Sequence, residues 1–159
     1  MANNAKPAVM IVDDEDMVIT SIRAFLRLET EYQIYGFTLP EEAAQFLETH
    51  PLEVVVSDYL MPKMNGLDLL AKAKLCQPEA ARVLLTGHAD KQSAIHAIND
   101  VGLYQYLEKP WDNQQLLLVI QSAIERTTLL RSLKEKIAAL DTAHSSLKDI
   151  QAKLLRAFL

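Results

Sequence analysis

Five short runs of strand-forming residues recur along this chain, and each is followed by a stretch with helical spacing. The runs fall at residues 8–12, 32–37, 54–57, 82–86 and 104–108. After the first run, Val18, Ile22, Phe25 and Leu26 lie on one side of a helix. Pro40 opens the second helix, and Glu41 and Glu42 suit the positive end of its dipole. That helix extends to about His50 and Pro51. A third runs from Leu67 to about Cys76 and stops before Pro78, a fourth from about Lys91 to Val101, and a last one opens near Asp112 as its cap. Alternation at this spacing builds βαβ units, hence a parallel sheet with helices on both faces. The run Val54-Val55-Val56 is apolar throughout, as a strand covered on both faces must be.

From Trp111 to Leu159 the chain has neither Gly nor Pro. A helix from Asp112 to Phe158 would be roughly 70 Å long, more than a domain of this size can cover. Leu133, Leu140, Leu147 and Leu154 recur every seven residues, with Leu130, Ile137, His144, Gln151 and Phe158 interleaved. This is an a/d heptad seam with leucine at every d position. Lys136 at g and Asp141 at the following e are placed to pair between parallel helices. The expected organisation is a globular domain over residues 1–125 and a coiled-coil extension over 126–159, giving a homodimer through the C-terminal helix. The closing KLLRAFL lacks a helix stop, so the helix is expected to continue into a further domain.

Charge divides along the same boundary. The net charge is −5, but residues 1–125 hold 9 Lys/Arg against 18 Asp/Glu, and residues 126–159 hold 7 against 3. The acidic part offers no nucleic-acid face. In the tail, Arg126, Arg131, Lys134 and Lys136 are too sparse for the dense basic block of a DNA-reading zipper. One cysteine, Cys76, permits no internal disulfide, and it reads as a small buried or half-buried apolar residue in a reducing compartment. No secretory leader or membrane-length apolar run appears, so a cytoplasmic protein with no membrane role is expected.

In open α/β sheets ligands bind at the C-terminal ends of the strands. Asp13 and Asp14 follow the first strand, Asp58 the third, Thr86 the fourth and Lys109 the fifth. Three carboxylates in one pocket repel unless a cation compensates, and oxygen-only ligands favour a hard ion such as Mg²⁺ over zinc. A carboxylate beside such an ion is a nucleophile toward phosphorus. Lys109 then supplies a point charge to the phosphoryl oxygens, Thr86 a neutral donor, and Gly87 leaves room.

The motifs VDDED, SDYLMPKMNG, LLTGHAD and YLEKPWD, as they stand here, resemble the receiver domain of two-component response regulators, across about residues 7–125. The resemblance implies a flavodoxin-like, doubly wound sheet of five strands in the order 2-1-3-4-5. It implies Asp58 as the phosphoacceptor, with a sensor histidine kinase as donor. It implies Mg²⁺ held by Asp14, Asp58 and the Leu60 carbonyl, with Asp13 acting through water. It implies Thr86 and Tyr106 as a switch pair and a cis Lys109-Pro110 bond. Leu60 and His88 flank the phosphoryl position, where an apolar Leu60 is expected to hinder hydrolytic water.

A phosphohydrolase of the haloacid-dehalogenase type is the competing enzyme reading. It requires a second acid two residues after the nucleophile, and that position is Leu60. The chain is therefore read as a signalling module that catalyses only its own phosphorylation and dephosphorylation. Phosphorylation is expected to alter the helix dimer and an attached output domain.

Overall fold

The computed structural model describes residues 5–87, 92, 95 and 101–158. Its elements are β1 (Ala8–Val12), α1 (Asp16–Glu29), β2 (Gln33–Phe37), α2 (Pro40–Thr49), β3 (Val54–Asp58), α3 (Gly66–Cys76), β4 (Ala81–Thr86), β5 (Gln105–Glu108) and a C-terminal helix, Asn113–Phe158. The five strands form one sheet in the order β2-β1-β3-β4-β5, and every pairing is parallel, as the alternation requires. The fourth helix expected from the sequence, with His88 just before it, lies largely outside the described residues.

Successive side chains of a strand point to opposite faces, so each central strand feeds two cores. Val9 and Ile11 of β1, Val54 and Val56 of β3, and Val83 and Leu85 of β4 enter one core with Ile19, Ile22 and Leu26 of α1 and the start of the C-terminal helix. Met10, Val12, Val55 and Leu84 enter the other, against Leu47 of α2 and Leu69 and Leu70 of α3. Burial on both faces is why these strands read as unbroken apolar runs. The edge strand β2 is only half-buried.

Polar side chains set the ends of the elements. Asn65 caps α3 by accepting from the Asp68 N–H at 2.9 Å, and Asp112 accepts from the Gln114 N–H at 2.9 Å before the C-terminal helix. Arg82, in the midst of β4, is buried; its Nε donates to the carbonyls of Val101 (3.0 Å) and Gly102 (3.2 Å), and its Nη1 donates to that of Ala80 (3.0 Å). Burial, with the nearby Arg126 charge, holds this guanidinium below its ordinary pKa.

The chain divides into two compact units, Met1–Thr127 and Thr128–Leu159. In the first unit the C-terminal helix packs Leu116, Ile120 and Ala123 against the sheet, all fully buried. Thr127, also buried, closes this contact with its Oγ1 2.9 Å from the Glu53 carbonyl and 3.0 Å from that of Ala123. The second unit continues as helix, with Leu133, Leu140 and Leu147 largely exposed. No helix among the described residues is long and apolar enough to cross a membrane.

Because Ile120 is fully enclosed, truncating it leaves a void that the packed sheet cannot fill. Ile120→Ala should cost about 2–5 kcal/mol of unfolding free energy in urea titration, with no change in far-ultraviolet circular dichroism at zero denaturant.

Candidate functional site

The sheet register assembles the site. Val12 stands opposite Ser57, so the next residues, Asp13 and Asp58, leave adjacent strands side by side. Asp58 in turn stands opposite Leu85, one residue before Thr86. Carboxylate oxygens from Asp13, Asp14 and Asp58 lie within 4.8 Å of one another. Asp13 and Asp58 are buried, whereas Asp14 is exposed.

Lys109 reaches this cluster from the end of β5. Its backbone N–H donates to the Thr86 carbonyl at 2.7 Å, which holds the residue beside β4, and the Lys109-Pro110 bond is cis. Its Nζ lies 3.0 Å from Asp58 Oδ1 and 3.9 Å from Asp13 Oδ2. Backbone donors add to this: the Tyr59 N–H donates to Asp58 Oδ1 at 3.0 Å, and the Glu15 N–H to Asp13 Oδ1 at 2.8 Å. Thr86 is fully buried, and neither its Oγ1 nor Asp13 Oδ2 has a hydrogen-bond partner among the described residues.

These surroundings push the acids toward protonation. Burial raises Asp13 to about 6; the Glu15 N–H opposes this, the charge of Asp58 adds to it, and Lys109 offsets part. Burial also raises Asp58, against the hydrogen bond and charge of Lys109 and the Tyr59 N–H, with Asp14 adding to the rise. Burial acts to lower Lys109, but its bond to Asp58 and the surrounding acids outweigh burial and raise it. Two buried carboxylates and a buried oxygen lacking a donor fit a hard cation: every donor is oxygen, and the positive charge they need exceeds one lysine. Asp13, Asp14 and Asp58 thus form a cluster able to hold a metal ion.

The remaining predicted residues take distinct positions. Leu60 sits in the loop after β3 with its side chain 60% exposed. Cys76, expected to be buried or half-buried, is exposed at the end of α3. Tyr106 on β5 is half-buried and packs against the core on the α2/α3 face. Some contributors were not legible in the sequence. The Glu15 and Tyr59 amides are backbone groups, and no residue type announces them. Gly66 closes the SDYLMPKMNG motif, and a Cβ there would meet the Asp58 carbonyl oxygen at 2.0 Å. Asn-Gly is a turn-forming pair, and close packing under Asp58 is the reason for its glycine.

The comparisons with known proteins agree with this geometry. The chain belongs to the response regulator receiver domain family, whose model matches residues 9–121. A solved response regulator receiver domain from Clostridium thermocellum is 32% identical, with a TM-score of 0.72 over 78% of this chain and 98% of that one. The signal receiver domain of an HD domain-containing protein from Pseudomonas fluorescens Pf-5 is 31% identical, with a TM-score of 0.73 over 78% and 98%. The transcriptional regulatory protein FixJ of Bradyrhizobium diazoefficiens is 32% identical over 124 residues, which is 76% of this chain and 58% of that protein. The first curated relatives are matched over only about a quarter of their length.

A raised Asp13 pKa weakens folding as pH rises. The folded state holds its proton until about pH 6 while the unfolded chain releases it near 3.8, so stability present below pH 4 is lost through that window, by about 3 kcal/mol. With divalent cations chelated, Asp13→Asn should therefore be about 1–3 kcal/mol more stable than the parent near neutral pH, and the gap should close near pH 4. Urea titration across pH measures it; added Mg²⁺ should shrink the gap by stabilising the parent more than the variant.

Proposed function

We propose that this chain is the phosphoacceptor module of a two-component system, with Asp58 as the residue that takes the phosphoryl group from a sensor histidine kinase. The observation that carries this reading is Lys109 Nζ at 3.0 Å from a buried Asp58 carboxylate, inside a three-acid cluster, beside a Thr86 hydroxyl that has no hydrogen-bond partner among the described residues. Mg²⁺ would be held by Asp14, Asp58 and the Leu60 carbonyl, with Asp13 acting through water, and would supply the positive charge that lets these acids share a pocket with a phosphoryl group.

An Asp58 oxygen attacks phosphorus, the bond from phosphorus to the donor imidazole nitrogen breaks, and an acyl phosphate forms. Lys109 moves its charge from the carboxylate to the phosphoryl oxygens. The Thr86 hydroxyl, without a partner among the described residues, donates to the same oxygens, and that shift opens room for the Tyr106 ring. The chain's chemistry is confined to its own phosphorylation and dephosphorylation. The apolar, exposed Leu60 offers no second acid for hydrolysing external esters.

In this reading residues 1–125 are the receiver and residues 126–159 a coiled-coil extension that pairs two copies and leads to an output region. The curated relatives extend well beyond the matched segment, as a receiver joined to an output region would. The protein works in the cytoplasm, without nucleic acid or membrane as a partner of this segment.

Incubation with acetyl phosphate and Mg²⁺ should add one phosphoryl group to the intact mass. Asp58→Asn should abolish the gain, and Lys109→Met should slow it by at least about tenfold. An unchanged parent mass would remove the proposed role. A second measurement concerns the output: sedimentation velocity of the parent should change on phosphorylation, and that of Asp58→Asn should not.

A further inference from the structure

The helix from residue 128 onward carries an apolar stripe in the open, with Leu133, Leu140 and Leu147 at 54%, 69% and 58% exposure. A stripe repeated every seven residues over four heptads is a surface shaped for another helix. Two properties of the stripe determine which helix, and how it is aligned.

The first is where the polar residues stand. Every d position is leucine, and the two polar seam residues, His144 and Gln151, are both at a. In a parallel, aligned pair each a residue faces its own counterpart, so imidazole meets imidazole and amide meets amide. In an antiparallel pair each a residue faces a d residue, which here is always leucine. Parallel helices displaced by one heptad set one copy's His144 against Ile137 and the other's Gln151 against Phe158, leaving only the His144–Gln151 layer polar on both sides. Only the aligned parallel pair leaves neither polar group buried against an apolar one.

The second is the flanks. In that arrangement Lys136 meets Asp141 of the copy, twice by symmetry, so the charges are complementary. Two heptads further on, Ile150 at g meets Leu155 at the following e, residues that are 53% and 63% exposed on the single helix. The seam thus widens toward Phe158 with apolar side chains matched to apolar ones.

We propose that this seam binds a second copy of the same chain, parallel and in register, and that the facing His144 pair makes the association sensitive to protons. The inference rests on reading the C-terminal helix as the dimer-forming element. On its own helix His144 has Asp141 three residues before it and Lys148 four residues after, charges of opposite sign. Across the seam it faces the copy's His144, bounded by that copy's Leu140, Ala143 and Leu147, with the copy's Asp141 and Lys148 at the rim. Imidazole ordinarily gains its charge between pH 8 and 5. Two imidazolium groups in an otherwise apolar layer repel, so acid loosens the pair.

The test uses the full chain with Cys76→Ser, which removes its only native thiol. Leu147→Cys or Gln151→Cys in this background should give a disulfide-linked dimer in high yield near pH 8, since either residue meets itself only in the aligned parallel pair. Sedimentation equilibrium of the Cys76→Ser chain gives the dissociation constant, which should rise at least about tenfold between about pH 8 and about pH 5.5. His144→Asn, whose amide pairs with itself but does not titrate, should flatten that dependence. A dimer that crosslinks at neither position overturns the direction and alignment while leaving dimerisation standing. A chain monomeric at every concentration overturns the dimer reading itself. A dimer indifferent to pH, or one in which His144→Asn is equally pH-sensitive, overturns the histidine layer.

Discussion

Burial of two carboxylates side by side is the constraint around which this molecule is built. Asp13 and Asp58 leave neighbouring strands at the same edge of the sheet, and the register allows them no separation. Lys109 relieves the strain only in part, being 3.0 Å from one acid and 3.9 Å from the other. The pocket therefore favours more positive charge, and it has an oxygen without a donor that would accept it.

The scaffold keeps that strained edge in place. The Lys109 amide bonds to β4, Gly66 lets the loop after β3 close under the Asp58 carbonyl, and amides at Glu15 and Tyr59 orient the two acids. At the other end of β3, Thr127 touches the Glu53 carbonyl. Glu53 and Asp58 are separated by roughly 16 Å of extended chain. The C-terminal helix is thus pinned at the edge remote from the chemistry. Arg126, one residue before Thr127, lies over the Tyr104 ring at 5.5 Å, beside the strand that carries Tyr106 and Lys109.

Much of the architecture could be read from residue order because both-face burial imposes a recognisable pattern. Continuous apolar runs marked β1, β3 and β4, and heptad spacing marked the exposed part of the last helix. Strand ends carrying Asp13, Asp58, Thr86 and Lys109 were legible for the same reason, since a parallel sheet collects them at one edge. Arg82 was not. It reads as an ordinary strand residue, yet it is buried and bonded to backbone carbonyls. Thr127 also escaped notice, because its role comes from a carbonyl 74 positions away.

Periodicity and residue chemistry alone determined that this chain makes a parallel α/β sheet, that acids and a lysine meet at its edge, and that a leucine seam follows. Those properties depend on spacing, which is a one-dimensional quantity. Tertiary structure decided which acids are buried, how far Lys109 stands from each, which amides orient them and where the last helix is fastened. These depend on backbone groups and on distances between strands. Such distances exist only once the sheet has closed and water has been excluded.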